Sequence, residues 1–589
     1  RLSIFARKKP SGLLFSTFNS SSMSMTMTRP AAFVSVAGLL ILCGLFTTAF
    51  LDMHITVFDD ADSKNELAAE IDKVLGNGQH HDTEMRLQRI EQVLRPMFAA
   101  MASNTGGLVG NAAASYMLHR SFLQRYAWSI TTLEPTDGSF SSWSMKSPIS
   151  ILEGHAPEDV VKLFRQKFGG KSTFDLADLT RLAAAFEDVV HREALLRLGA
   201  SYISHSMRKT DILGQDEVVQ VLETFMAIYI LGNGADTTAR QATELRETIN
   251  ESYPAWAETQ EFLREVYSTA APKREYMYVS EVEKLLSDVG ERYGQFQNKE
   301  CQEFKDLLVA VEDQGVGGAG RVRLADFYNM SLNGKWQFSE QRDYLKMLGA
   351  LDDSDASNPR VIIPNYINSY ANCAASSRHY KVCCLDECES IFAKIEQKLS
   401  APEAPPSSIV DVISEISGAS SVAPWLRERL DEVAHIHNGQ VPLHGRLFAQ
   451  WLHYVYPREC QFPPVPDMSK PQHREEIEKH FEAGREASKE VMEEIVAAAP
   501  PRQVQKLSKI DAEPSAAEES PMWSLDEELV VWYPRTWYGK LLWRLTSVHQ
   551  YGRAIVLALA AVSFSISLAS SFRCATASID THEKKCYDL

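Results

Sequence analysis

The stretches "GAGRVRLADFY" (residues 318–328) and "SNPRVIIPNYI" (residues 357–367) share one pattern. Each places a β-branched residue, Val322 or Val361, four positions before an Asp or Asn at the entrance of a helical pattern. An EF-hand has this arrangement of a helix, a loop with one short strand position and a second helix. A lone loop strand leaves backbone groups without partners, so we expect Val322 and Val361 to pair.

The same four-residue step recurs along the chain. Its further copies are Phe174 with Asp178, Ile212 with Asp216, Met277 with Glu281 and, more loosely, Val441 with Gly445. Between the copies, apolar residues follow helical spacing and long β patterns are absent. The sequence therefore predicts a mainly α protein, a degenerate EF-hand-like body of helix-loop-helix units. Coincidental helix-turn-helix spacing is the alternative interpretation.

These loops resemble the EF-hand in scaffold and not in calcium chemistry. A calcium loop needs oxygen ligands at loop positions 1, 3, 5 and 12 and a Gly at position 6. In the Val322 loop only Gly320 and Asp326 fit, and the Phe174 loop carries Lys167 and Lys171 at two ligand positions. We expect no metal ligands, although the acidic cluster at 352–355 leaves an irregular calcium loop as an alternative.

Six cysteines lie between the two longest apolar runs, at positions 301, 373, 383, 384, 388 and 460. Four of them fall in or just before "HYKVCCLDECES" (residues 379–390), which lacks the two CxxC or CxxH pairs of a typical zinc site. In an oxidising space, one or two disulfides are expected, with free buried thiols as the alternative. We predict that Cys373 pairs with Cys383, with Cys384 as the alternative, and that Cys388 lies on the buried face of the following helix.

Histidines supply the other reactive side chains of this region, at positions 379, 435, 437, 444 and 453. None stands at a spacing that marks a nucleophile with its base. The sequence predicts no catalytic and no cofactor-binding residues. An enzyme that uses the Cys and His residues near 379–460 is kept as an alternative.

Two uncharged apolar runs, at residues 31–51 and 554–572, are long enough to cross a bilayer as helices. We predict a transmembrane helix or signal-anchor at 31–51 and a transmembrane helix at 554–572. Residues 1–30 are basic, which is typical of a leader or targeting extension. Residues 522–553 are aromatic and basic, which is typical of a segment beside a membrane. The charge bias around the first run favours a non-cytosolic body between the two anchors.

The formal charge of −17 and the pI near 5.5 argue against a nucleic-acid partner. Prolines at 402, 405 and 406 indicate a linker inside the body. The predicted organisation is a helical body at 52–399, a second helical unit at 408–460, an acidic helix and linker at 461–521 and a tail at 573–589.

Three motifs, "VIIPNYI", "HYKVCCLDECE" and "VPLHGRLFAQWLHYVYPREC", resemble an uncharacterised family of membrane proteins from dinoflagellate algae. The resemblance covers roughly residues 260–465. It implies a membrane protein and no particular activity.

These observations predict a membrane-anchored helical interaction or scaffold protein without catalytic activity. Its expected partners are the lipid bilayer and a protein of unknown identity, and no nucleic acid. The expected location is an endomembrane, the plasma membrane or an organelle membrane. A calcium-responsive EF-hand-like sensor is the second alternative, beside the membrane-bound enzyme.

Overall fold

The structure is a computed structural model of the 589-residue chain. It describes residues 80–102, 107–130, 132–133, 143, 147–153, 156, 158–208, 210–231, 237–270, 275–335, 337–374, 377, 379–418, 422–463, 484–501 and 520–531.

Helices dominate these residues, which confirms the mainly α prediction. They are α1 His80–Ala102, α2 Asn111–Tyr126, α3 Glu158–Phe168, α4 Leu176–Ser204, α5 Gln215–Leu231, α6 Ala239–Ser252, α7 Trp256–Ala270, α8 Val279–Val309, α9 Leu324–Leu332, α10 Arg342–Met347, α11 Ile363–Ile367, α12 Glu387–Leu399, α13 Pro406–Ser417, α14 Pro424–Ile436, α15 Arg446–Val455 and α16 Lys489–Ala498.

The strands are only two or three residues long. They are β1 Val109–Gly110, β2 Trp128–Ser129, β3 Thr173–Phe174, β4 Leu213–Gly214, β5 Tyr276–Met277, β6 Arg321–Arg323, β7 Leu351–Asp352, β8 Arg360–Ile362, β9 Lys381–Val382, β10 Glu403–Ala404 and β11 Val441–Pro442.

The strands join helix-loop-helix units into four antiparallel pairs. The first pair joins β1 to β3, the second β4 to β5, the third β6 to β8 and the fourth β10 to β11. In the third pair Val322 lies opposite Val361, so the predicted pairing is confirmed. Helix α4 connects the first pair to the second, and helix α8 connects the second to the third. Each serves as a helix of two units, which explains their lengths of 29 and 31 residues.

The register of one predicted unit is wrong by a single position. Leu213, and not Ile212, pairs with Met277, and Glu217 accepts a hydrogen bond from the backbone N–H of Gly214 (2.8 Å). Ile212 is 52% exposed, because a shift of one residue turns a strand side chain to the opposite face. The units that contain β1 and β10 were not predicted from the sequence. Their strands carry Val109 and Ala404, and no Asp, Asn or Glu stands four positions later.

Local chemistry explains where the helices begin. Asp175 accepts a hydrogen bond from the backbone N–H of Asp178 (2.8 Å), and Asp178 reaches back to Asp175 N, which forms a capping box at the start of α4. Gly320 has φ of +71°, and a Cβ there would lie 2.0 Å from the carbonyl oxygen of Pro457. Glycine is therefore required at this loop position.

The fourth pair is not separated from the body by a linker. Strand β10 occupies the proline-rich segment, and Leu443 N donates to Pro402 O (2.9 Å). Ile391 and Ile395 of α12 share one apolar core with Leu447 and Trp451 of α15. The structure thus differs from the predicted boundary between 399 and 408.

Segments that follow the fourth pair also pack on the body. Met492 of α16 is buried in the core that contains Val322. Residues 520–531 form an extended segment, in which Val530 N donates to His444 O (3.1 Å) and Arg446 N donates to Glu528 O (2.8 Å). The beginning of the predicted juxtamembrane segment therefore belongs to the folded body.

The helices that the structure describes include none with the length and apolarity that a membrane span requires. Both predicted spans, 31–51 and 554–572, lie outside the described residues, as do the leader at 1–30 and the tail at 573–589.

Candidate functional site

A calcium site in these loops would require a carboxylate at the last ligand position. In the loop before α4, the residue at this position is Asp178, which is 2% exposed. The ammonium group of Lys171 donates a hydrogen bond to its carboxylate. Lys171 belongs to the same loop, so a side chain of the protein places a positive charge where a cation would bind.

The Val322 loop has a similar internal cation. Arg323 donates to both carboxylate oxygens of Asp326, from Nε at 2.7 Å and from Nη2 at 3.2 Å. Earlier in this loop, Glu312 accepts hydrogen bonds from Gly320 N (2.6 Å) and from Arg458 Nη2 (2.6 Å). The carboxylates around this loop are therefore bound to groups of the chain itself.

In the Val361 loop an amide occupies the equivalent position. Asn365 donates from Nδ2 to Gly349 O (2.8 Å) and to Phe462 O (2.7 Å), and its Oδ1 accepts from Phe462 N (2.7 Å). The chain after α15 thus satisfies the position that a bidentate Glu would hold in a calcium loop.

The acidic cluster at 352–355 is divided among different partners. Asp352 Oδ2 accepts from Arg321 Nε (2.8 Å), and both side chains are 1% exposed. Asp353 pairs with Lys346 (2.7 Å), and Asp355 accepts from the hydroxyl of Ser357 (2.6 Å). The carboxylates therefore do not converge. Across the described residues, no three His, Cys, Asp or Glu side chains form a group that could hold a metal ion.

The six cysteines of the body lie in three close pairs. Cys373 and Cys383, the pair that the sequence predicts, have Sγ atoms 2.06 Å apart and Cα atoms 4.1 Å apart. Cys301 pairs with Cys384, and Cys388 pairs with Cys460. All three pairs have disulfide geometry.

No sequence pattern predicted the partners of Cys384 and Cys388. Cys384 precedes α12 and pairs with Cys301. Cys388 lies in α12, is half-buried against the core of Leu447 and Trp451, and pairs with Cys460. Both partners lie more than 70 residues away in sequence (separations of 83 and 72), so local spacing could not show them.

His444 belongs to a buried ionic network and not to a nucleophile-base pair. Its Nε2 lies 2.8 Å from Glu396 Oε1, and Arg120 contacts both oxygens of Glu396 at 2.8 and 3.1 Å. Burial opposes ionisation of Glu396, but Arg120 and His444 outweigh it and hold the pKa of this carboxyl at about 2. Arg120 also contacts Glu389 (2.8 Å) and lies 4.6 Å from the centre of the Phe392 ring.

Three further histidines of the region have structural neighbours as well, whereas His435 is exposed on α14. His453 is fully buried, its Nδ1 lies 2.7 Å from Cys460 O, and burial lowers its pKa to about 3. His379 Nε2 lies 3.7 Å from Glu193 Oε2, and His437 Nε2 lies 2.8 Å from Glu527 Oε2. These arrangements place carboxylates and backbone groups, and no free thiol, beside the imidazoles.

A separate cavity of about 570 Å³ lies among α1, α4, α5 and α8. Its wall carries the aromatic rings of Tyr126, Trp128, Tyr229, Tyr293 and Tyr380 together with several charged side chains. Its size falls in the range of small-molecule sites. No sequence pattern predicted this cavity, because its lining comes from six separate stretches of chain.

Comparison of this chain with models of known protein families, with curated proteins and with solved structures found no match.

Proposed function

We propose that this chain is a membrane-anchored scaffold built from EF-hand-like pairs that stay in one conformation without calcium. The observation that carries the proposal is the internal saturation of the loops. Lys171 binds Asp178, Arg323 binds Asp326, and Phe462 binds Asn365.

Calcium opens a sensor EF-hand because the ion draws the loop ligands together and the helices reorient. In this chain, a calcium ion would have to displace Lys171 to bind the carboxylate of Asp178, or Arg323 to bind that of Asp326. Arg321 and Asp352 add a second constraint on the third pair, since both are buried and breaking such a pair leaves an uncompensated charge.

Three cysteine pairs with disulfide geometry support an oxidising compartment for the body. This location agrees with the two apolar runs as anchors around a non-cytosolic body. Asn250 and Asn329, which open N-x-S sequons, are both exposed.

The outer face of the β4–β5 ribbon is the surface on which we expect a protein partner. Ile212 is 52% exposed, Tyr276 65% and Tyr278 59%. Antiparallel pairing of Leu213 with Met277 turns these three side chains away from the core. Large exposed aromatic groups are favoured at protein interfaces.

Cross-linking mass spectrometry on native membranes tests the proposal, with samples prepared in calcium and in a calcium chelator. We expect the same partner cross-links in both, and their loss in the Tyr276→Ser/Tyr278→Ser variant. Leu525→Ser, at a residue 54% exposed elsewhere on the body, is the matched control and should retain them. Cross-links that form only with calcium would favour the sensor alternative, and cross-links that survive the double substitution would reject this surface.

A further inference from the structure

The last three residues of α6 form an exposed N-x-S sequence. Asn250, Glu251 and Ser252 are all exposed, whereas the next residue, Tyr253, is buried. The sequence therefore lies on the surface at the point where the helix ends. N-x-S is the acceptor sequence for N-linked glycans, provided that x is not proline.

The fold itself gives no reason for an asparagine at position 250. Among the described residues, its side chain has no hydrogen-bond partner. The buried face of α6 is made by Ala242 and Ile249, so Asn250 does not contribute to the core. Asparagine is also a poor helix former, because its amide competes for backbone hydrogen bonds. A chemical role of the amide explains this residue better than a structural one.

A second N-x-S sequence, at residues 329–331, lies on α9. Asn329 is exposed, whereas its neighbours Phe327 and Tyr328 are buried in the core. Asn333 donates from Nδ2 to the backbone oxygen of Asn329 (2.8 Å) and to its Oδ1 (3.2 Å). These contacts do not use Nδ2 of Asn329, which is the atom that a glycan would occupy. Ser331 completes the sequence and is half-buried.

We infer that Asn250 and Asn329 carry N-linked oligosaccharides. The inference rests on the proposed non-cytosolic body, because the oligosaccharide is transferred to chains that enter the secretory lumen. A glycan is bulky and hydrated, and both exposed positions can hold one without displacement of the core.

The co-reactant of this modification is an oligosaccharide joined to a lipid diphosphate, and a membrane-bound transferase catalyses the step. The bond between the anomeric carbon of the sugar and the diphosphate oxygen breaks. The same carbon forms a bond with Nδ2 of the asparagine, which loses one proton to a base of the transferase. The lipid diphosphate is the leaving group.

Peptide N-glycosidase digestion of the full-length chain from eukaryotic cells, followed by peptide mass spectrometry, tests the inference. The digestion converts a glycosylated asparagine to aspartate, so each modified residue is identified by its position. We expect conversion at both Asn250 and Asn329, and an electrophoretic shift that loses one step in Asn250→Gln and one in Asn329→Gln. Mapping by position also separates these residues from the N-x-S sequence at Asn19, which lies outside the described residues.

Two substitutions beside Asn250 check that the acceptor sequence directs the modification. Ser252→Ala removes the required hydroxyl but keeps the asparagine, and it should abolish conversion at Asn250. Glu251→Gln, at an exposed residue of the same sequence, is the matched control and should retain it. Conversion that persists in Ser252→Ala would contradict the assignment.

An engineered acceptor distinguishes a failure of the inference from a failure of the proposed topology. Asp355→Asn creates an N-x-S sequence with Ser357, in a loop whose residues 354–357 are all exposed. If this position is modified and Asn250 or Asn329 is not, the inference is overturned for the unmodified residue and the topology stands. If none of the three positions is modified, the body does not meet the transferase, and both the topology and the inference are overturned.

Discussion

The two halves of the body use the same helix-loop-helix unit but are stabilised differently. The N-terminal half (residues 80–300) has one large continuous core, and it contains the cavity. The C-terminal half (residues 301–463) has two smaller main cores and all six cysteines of the described residues.

This difference follows from the amount of apolar surface that each half can bury. A small core supplies limited stability, and covalent cross-links compensate by restricting the unfolded chain. A large core tolerates an interior space, although each unfilled volume lowers stability. We therefore expect the C-terminal half to depend more strongly on its cysteines than the N-terminal half, which accommodates the cavity.

Reduction of the disulfides should have the largest effect on this comparison. Cys301–Cys384 and Cys388–Cys460 close loops of 83 and 72 residues. For loops of such lengths the chain-entropy account gives about 4 kcal/mol each. We expect hydrogen exchange, followed by mass spectrometry with and without reductant, to accelerate mainly in α9, α11 and α15 and little in α5. Equal acceleration in both halves would show that the N-terminal core also depends on the cross-links.

Glycine substitutions should have the second-largest effect, and their effect on stability should differ between the two halves. Gly320→Ala in the C-terminal half places a Cβ against Pro457 O and forces a left-handed conformation on alanine, at a cost of about 4 kcal/mol. Gly199→Ala in α4 of the N-terminal half meets no atom within 4 Å and should stabilise by up to about 1 kcal/mol. Chemical denaturation of both variants measures the difference, and a mild effect of Gly320→Ala would mean that the loop can move away from Pro457.

The pH dependence of stability gives the smallest of the three effects. Burial raises the pKa of Glu340 to about 7, although the hydroxyl of Tyr366 donates to its carboxylate (3.0 Å). The folded state binds the proton more tightly than the unfolded state, so this contribution is complete below about pH 4.5 and is lost as the pH rises to about 7.

Between pH 5 and pH 8, the free energy of unfolding of the wild type should therefore fall by about 3 kcal/mol more than that of the Glu340→Gln variant. Denaturation at a series of pH values measures it. The control is Glu494→Gln, at an exposed carboxylate of α16, which should follow the wild-type curve. Parallel curves for Glu340→Gln and the wild type would show that Glu340 stays ionised in the folded protein.

Local patterns predicted the parts of the fold that depend on neighbouring residues. Val322 and Val361 were identifiable because a β-branched residue precedes a helix entrance in both loops. Cys373 and Cys383 lie 10 residues apart, within reach of a single turn. Ala404 shows the limit of the pattern, because an alanine strand in a proline-rich loop has the appearance of a linker.

Contacts between distant segments could not be read from the sequence. Cys301 and Cys384 are adjacent only because α8 packs beside the segment before α12. The cavity depends on Tyr380, which reaches the N-terminal half through pairing of β2 with β9. One signal was present, since Arg120 interrupts the apolar face of α2, and a buried arginine requires a carboxylate from elsewhere.

The ionic network of Arg120 also sets an order of events during synthesis. Arg120 and Glu396 are 276 residues apart, and both are almost fully buried in the finished protein. During synthesis, α2 emerges from the ribosome long before α12. Until then, the carboxylate of Glu396 is not available to pair with Arg120 and allow its burial. The buried packing of Arg120 therefore cannot be completed until α12 has been translated, when about two thirds of the chain has been made.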